Sequence, residues 1–316
     1  MLDDRVSRRG FLGQMAVVGG AMMAGVGSAA GVEEKKRGKL HLACNQYPWL
    51  VFYQREGKDF NKLLDTGLGE VAASGMDGYE PLVTAPEQID ELAGLLKKHG
   101  LEMRSLYVNS ALHEAQTASK SVDEVLAIAK KAKGIGTRII VTNPSPIQWG
   151  GPENKNDEQL EVQAKMLELL GRELKEMGLV LAYHNHDIEL RNAAREFHHM
   201  MVGTDPKYVT LCLDAHWVYR GAGNSAVALF DVLKLYGSRV TELHLRQSAK
   251  NIWTEVFEEG DIDYPRLAKY LLGIGVRPHI VIEQAVEQGT PKTMATVEAF
   301  KQSSAYARRV FAGFGS

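Results

Sequence analysis

From Lys39 onward the chain repeats one pattern: a short apolar run, a polar connector, an amphipathic stretch and then, often, a glycine. The runs LHLACNQY (40–47), MDGYEPL (76–82), LEMRSLYV (101–108) and TRIIVTNP (137–144) are followed by LVLAYHNH (179–186), YVTLCLDAHW (208–217), VTELHLRQ (240–247) and HIVIEQA (279–285). Their brevity and their Val, Ile and Leu content predict parallel strands buried on both faces. The stretches between them carry apolar residues at i, i+3, i+4 and i+7 and predict helices. In the one starting at Glu158, Leu160, Ala164, Leu167 and Leu170 share a side. Gly75, Gly100, Gly178 and Gly275 stand where a helix C-cap needs a left-handed residue.

Strand–helix alternation, repeated about eight times over roughly 280 residues, predicts an α/β fold: a single (β/α)8 barrel over 38–316. A doubly wound open sheet is the alternative. It would place a glycine-rich phosphate turn after its first strand, and the segment there, CNQYPWLVFYQREG, has no G-x-G-x-x-G. The least regular stretch, PSPIQWGGPENKND (144–157), is predicted as a loop at the active-site mouth.

In such a barrel the chemistry lies at the C-terminal strand ends, and ionisable or amide residues collect there. Strand two ends in Glu80, three near Asn109, four at Asn143, five in His184 and His186, six in Asp214 and His216. Strand seven carries Glu242, His244 and Arg246, and strand eight ends in Glu283. Alternate strand residues share a face, so His184 with His186, Asp214 with His216, and His244 with Arg246 are expected to point the same way. Burying His184, Asp214, His244 and Glu283 without compensation costs on the order of a few kcal/mol per group. One divalent cation offsets that cost. Two imidazoles and two carboxylates suit Mn²⁺, Zn²⁺, Co²⁺ or Fe²⁺ better than Ca²⁺, with Mg²⁺ left open.

A lone carboxylate at a strand end is more often a helix N-cap, and a lone strand histidine is more often hydrogen-bonded than metal-bound. Four consecutive strands ending in ligand-type residues argue against that reading for this group. His41, His99 and His279 read as structural and His198 and His199 as a solvated helix face, while His113 and Glu114 are secondary pocket candidates.

The first 37 residues are set apart. Arg8-Arg9, then Phe11-Leu12, a Gly/Ala/Met/Val stretch and Ser28-Ala29-Ala30 come in the order of a cleavable twin-arginine (Tat) export signal. The expectations are a periplasmic protein and no stable membrane span after signal removal. With a formal net charge of -2, nucleic acid is not an expected partner. Two cysteines, Cys44 and Cys212, exclude a disulfide scaffold. A homo-oligomer is left open.

The segments YHNHDIE, LCLDAHWVYRG, ELHLRQ, EEGDIDY and IVIEQ resemble the xylose isomerase-like TIM-barrel family of sugar phosphate isomerases and epimerases and inosose dehydratase-like enzymes. The resemblance covers essentially everything after the signal. It implies one divalent metal held by His184, Asp214, His244 and Glu283, although the family often has Glu at the first of these. It also implies a carbohydrate or keto-sugar substrate and chemistry that begins with abstraction of an α-proton. With one family carboxylate gone, Glu283 and His186 would handle protons. Arg246 would hold substrate oxygens, and Glu80, Asn109, Asn143 and His216 would line the pocket. Gln247 stands where relatives have Asp, and Arg246 where they have Lys. The family's three-zinc endonucleases fit poorly, for want of a basic face. Isomerisation, epimerisation and dehydration or elimination all stay open, as does a carbohydrate-binding barrel without catalysis.

Overall fold

The computed structural model describes residues 38–315; the predicted signal lies outside the described residues. Strands β1 (Leu42–Asn45), β2 (Gly78–Glu80), β3 (Ser105–Tyr107), β4 (Ile139–Thr142), β5 (Val180–His184), β6 (Val209–Asp214) and β7 (Val240–Leu245) form the barrel with β10 (His279–Ile282). A small antiparallel hairpin, β8 (Ser248–Ala249) and β9 (Ile252–Trp253), is inserted after β7. The sheet order is β2-β1-β10-β7-β6-β5-β4-β3, every pairing parallel. Between β2 and β3 the ladder is reduced to isolated bridges. The Tyr79 amide donates to the Glu102 carbonyl and the Tyr107 amide to the Pro81 carbonyl, both at 2.9 Å. These bonds carry the ring across its one weak seam, giving a nearly closed eight-stranded (β/α)8 barrel.

The helices form for the reasons their spacing predicted. Helix Asp157–Glu176 starts with a capping box between Asn156 and Gln159, and Leu160, Ala164, Leu167 and Leu170 are buried. Gly75, Gly100, Gly178 and Gly275 have φ of 86°, 67°, 74° and 78°, the left-handed conformation that ends a helix without a Cβ penalty.

One element differs from expectation. The connector after β1 is a helix, Gln46–Arg55, capped by Asn45, whose side chain accepts from the Tyr47 amide at 2.7 Å. Trp49, Phe52 and Tyr53 recur at helical spacing, and Trp49 stacks on Phe300 with ring centroids 4.5 Å apart. Burying that aromatic face outweighs the turn-like reading of the sequence.

The main apolar core lies between strands and helices. A second, small apolar cluster among the described residues is made by Tyr107, Val141, Ala182 and Cys212, one from each of β3 to β6, with Ile139 against it. Polar groups fill the rest of the interior: Glu80, His184, Asp214, Glu242 and His244 are all fully buried. Cys44 and Cys212 are buried and free. No helix among the described residues is long and apolar enough to cross a membrane.

Candidate active site

The strands bring the predicted groups together, but not all on one level. His184 ends β5, and its ring lies 4.7 Å from that of His186 and 4.8 Å from that of His244, between centroids. Ligand atoms of His184, Asp214 and Glu283 lie within 4.8 Å of one another. Asp214 does two jobs. It caps the helix Ala215–Gly221 by accepting from the Trp217 amide at 2.8 Å, and its Oδ2 points elsewhere without a hydrogen-bond partner among the described residues. His184 Nε2 is likewise buried and unpartnered. Two orphaned buried acceptors beside a second carboxylate fit a divalent cation, which would satisfy both.

His244, expected as the fourth ligand, falls in two other groups of residues that could hold an ion, one with His184 and Cys212 and one with Glu80 and Glu242. Its Nδ1 is 3.1 Å from Glu283 Oε2, and its Nε2 is 3.0 Å from Glu80 and 3.2 Å from Glu242. Burial alone would lower its pKa, but Cys212, Glu80 and Glu283 push it well above the ordinary value. In this arrangement both ring nitrogens serve carboxylates, so His244 links the upper cluster to a deeper one. In that deeper layer burial and the neighbouring Glu80 raise the Glu242 pKa to about 8. Burial would raise Glu80 too, but His244 holds it down to about 2. At neutral pH one glutamate is a proton carrier and the other the counter-ion.

Above the cluster opens a cavity of about 440 Å³, lined by His186, Arg246, Glu283, Asn45, Tyr47, Leu50, Leu82, Tyr107, Asn109, Trp149, Trp217 and Trp253. His186 lies just past β5, and Glu189 Oε2 accepts its amide hydrogen at 2.6 Å. Burial lowers its imidazole pKa to about 4 against the opposing pull of Glu283, so it is neutral. Arg246 Nη2 is 3.0 Å from Glu283 Oε2 and 3.9 Å from Asp214 Oδ2, and Nε donates to the Glu283 carbonyl at 3.1 Å. Its guanidinium lies 4.3 Å from the Trp253 ring centroid and 4.8 Å from that of Trp217. Burial would raise the Glu283 pKa, but Arg246 and His244 hold it at about 2.

Of the expected pocket residues, only Asn109 lines the cavity. Glu80 lies beneath it, accepting from Asn45 at 2.7 Å and Ser105 at 2.6 Å. Asn143 donates to the His184 carbonyl and to Glu189, each at 3.0 Å, and so braces the loop that carries His186. The expected pairing of Asp214 with His216 fails because the chain turns helical at Ala215. The His216 ring packs beside Trp217, Tyr219 and Trp253 instead, and burial lowers its pKa to about 2. His113 and Glu114 do not line the cavity. His198 is half-buried and bonded to the Tyr236 hydroxyl at 2.8 Å, not on a solvated face. Gln247 spends its amide on backbone: it donates to the Glu258 and Ile262 carbonyls and accepts from the Ser248 and Ile262 amides.

The residues missed by the sequence reading are mostly aromatic. Three of the chain's four tryptophans line the cavity. Two sit next to singled-out positions, Trp217 after His216 and Trp149 in the predicted mouth loop. Asn185 was also missed. It donates to the Asp214 carbonyl at 3.1 Å and accepts the Asp214 amide at 3.2 Å, stitching β5 to β6 where the ligands emerge.

The sequence profile of the xylose isomerase-like TIM barrel matches residues 68–309. The chain belongs to that family. Among relatives of this xylose isomerase-like barrel, the inosose dehydratase of Clostridium perfringens (strain 13 / Type A) is 26% identical over 249 residues, covering 68% of this chain and 80% of its own. Inosose dehydratase 2 of Bacillus cereus (strain ZK / E33L) is 27% identical over 216 residues, 64% of this chain and 69% of its own. A sugar phosphate isomerase/epimerase from Parabacteroides distasonis ATCC 8503 superposes with a TM-score of 0.67 at 18% identity, covering 92% of this chain and all of the other. A 3-keto-D-glucoside 4-epimerase from E. coli gives 0.62 at 15% identity, over 86% of this chain and all of the other. At those identities the superpositions establish the fold of this xylose isomerase-like chain and leave its reaction to the site.

Proposed function

We propose that this chain is a divalent-metal-dependent enzyme of the sugar isomerase/epimerase type, which removes a proton α to a carbonyl of a carbohydrate or keto-sugar. The observation that carries the reading is the meeting of neutral His186, anionic Glu283 and cationic Arg246 on one cavity floor, directly over the His184–Asp214–Glu283 cluster. His184, Asp214 and Glu283 would hold the ion, with His244 as the buried counter-charge to Glu283. Bound there, a divalent ion supplies Lewis-acid polarisation of a carbonyl.

The protein groups divide the remaining work. His186, kept neutral by burial, accepts the α-proton. Arg246, whose Nη1 has no partner among the described residues, donates to the oxygen on which negative charge develops. Glu283 shares the floor with His186 and would face the same substrate, while Trp217 and Trp253 wall the floor beside Arg246. Delivery of the proton to the neighbouring carbon gives isomerisation; delivery to the opposite face gives epimerisation.

A second reading, a dehydratase or lyase, is favoured by the asymmetry of the site. Among the described residues Glu283 is the only carboxylate lining the cavity, and its partner across the floor is an imidazole. Such an unequal pair suits elimination, in which His186 takes the α-proton and, as the imidazolium, hands it to the departing oxygen while Glu283 stays ionised. The relatives named inosose dehydratase add weight. Turnover of keto-sugars by the metal-loaded protein in D₂O tests both. Deuterium at the α-carbon of a product of unchanged composition supports isomerisation or epimerisation, while loss of water or of an aglycone supports elimination. Metal binding with no exchange and no turnover would leave a carbohydrate-binding barrel.

The N-terminal signal supports export by the Tat route to the periplasm, as a folded protein. There the substrate pool is unphosphorylated sugars and glycosides.

A further inference from the structure

The cavity is built at two levels of different chemistry. Its floor holds His186, Arg246 and Glu283; its outer wall is Tyr47, Leu50, Leu82 and Trp149. Trp149 is 53% exposed and Tyr47 44%, unusual for side chains that each bury 150–250 Å² when covered. Neither stands apart from the reacting groups. The Trp149 ring meets that of His186 edge-on at 5.1 Å, and the Tyr47 ring centroid is 6.0 Å from the Arg246 guanidinium. The aromatic wall therefore runs outward from the point where the reacting sugar must sit, as a surface that would hold a second ring or an alkyl group by its face.

Charge argues in the same direction. Among the described residues Arg246 is the one cationic side chain lining the cavity beside neutral His186, and its Nη2 and Nε already serve Glu283. Arg220, also over Trp253, pairs with both carboxylate oxygens of Glu287 at 2.8 Å and does not line the cavity. A phosphoryl group brings close to two negative charges and several acceptor oxygens. At the outer wall of Tyr47, Leu50, Leu82 and Trp149 it would meet no cationic side chain, and the charge on the floor is already taken up with Glu283 and with the oxygen of the reacting sugar.

We propose that the outer wall is an aglycone subsite and that the substrate is a neutral glycoside: a sugar on the floor with an aryl, alkyl or second sugar group stacked between Tyr47 and Trp149. The assignment rests on the carbohydrate chemistry proposed above and names its substrate class.

Calorimetric titration of the metal-loaded chain with glucose, phenyl β-glucoside, cellobiose and glucose 6-phosphate reads the subsite without requiring turnover. Phenyl glucoside and cellobiose bind at least about tenfold tighter than glucose, and glucose 6-phosphate binds no tighter than glucose. Trp149→Ala and Tyr47→Ala each cut phenyl glucoside affinity about tenfold and glucose affinity less than about threefold, with unchanged far-UV circular dichroism. The proposal is overturned if glucose 6-phosphate binds tightest, if the aglycone adds no affinity, if both variants lose all ligands equally, or if none of the four binds. Failure of deuterium exchange alongside intact aglycone-dependent binding would remove the proton-abstraction mechanism and leave the subsite standing.

Discussion

Arg246 and Glu283 form a charge pair at the cavity floor, Nη2 to Oε2 at 3.0 Å, with side chains 1% and 8% exposed. The same carboxylate oxygen is 3.1 Å from His244 Nδ1, so one atom of Glu283 is shared by two cations. The pair keeps Glu283 ionised in a place where burial opposes it.

Arg246→Met removes one of those cations and leaves buried carboxylates under-compensated. Without added metal the variant is expected to lose about 3 kcal/mol of stability, and Mn²⁺ should restore much of it, since the ion replaces the missing charge. Urea unfolding with and without Mn²⁺ checks this. A metal-free variant as stable as the parent would show that the pair contributes little. Turnover should fall at least about 100-fold, through loss of the oxyanion donor.

The two buried glutamates beneath His244 should behave unequally. Glu80 is the ionised partner of His244, and Glu80→Gln is expected to cost about 3 kcal/mol. Glu242 is already protonated near neutral pH because burial and Glu80 raise its pKa to about 8, so Glu242→Gln replaces one neutral group by another and should cost under about 1 kcal/mol. Chemical denaturation of both variants at pH 7 decides the matter; equal losses would mean that the proton is not where the arrangement of charges puts it.

His186→Ala should separate proton transfer from metal binding. A loss of about 100- to 10,000-fold in kcat is expected, with metal stoichiometry retained. His184→Ala should lower metal content itself, because His184 Nε2 has no other partner to serve among the described residues. Elemental analysis beside kinetics distinguishes the two. If His186→Ala strips the metal, that histidine is a ligand and not the base.

His279, at the start of β10, offers a pH test away from the site. Burial lowers its pKa from 6.5 to about 3, and the neighbouring Arg104 guanidinium acts the same way, as does His41 once it is protonated. Between those values the unfolded chain binds a proton that the native chain does not, so acidification favours unfolding. Its contribution is complete above pH 6.5 and is lost progressively as the pH falls toward 3, on the order of a few kcal/mol at most. Unfolding free energies measured from pH 7 to pH 4 should fall less steeply in His279→Gln, by up to one proton's worth of slope.

The fold was legible because it rests on local signals. Apolar period, strand length, the Asn156 cap and glycines such as Gly100 and Gly178 each act within a few residues, and together they specify strand–helix units. The site was legible where alternation along a strand determined it. His184, Asp214 and Glu283 converge as expected, and Arg246 follows His244 on the inward face. Alternation stopped being a guide one residue beyond a strand. His216 left the series when the chain turned helical at Ala215, and the side-chain roles of Asn143 and Gln247 depend on loops they brace.

What the sequence determined by itself was the repeating unit, and with it the barrel and the inward series of ionisable groups, because the two-residue strand period and the helix spacing are properties of neighbouring residues. Only the tertiary structure decided how those groups share protons and partners, with His244 between Glu80, Glu242 and Glu283, and Arg246 on Glu283. It also decided that Tyr47, Trp149, Trp217 and Trp253 form one wall around the floor. These residues are separated by as many as 206 positions along the chain (253 − 47). Their interaction depends on distance and burial across the barrel mouth, quantities that exist only once the ring of strands has closed.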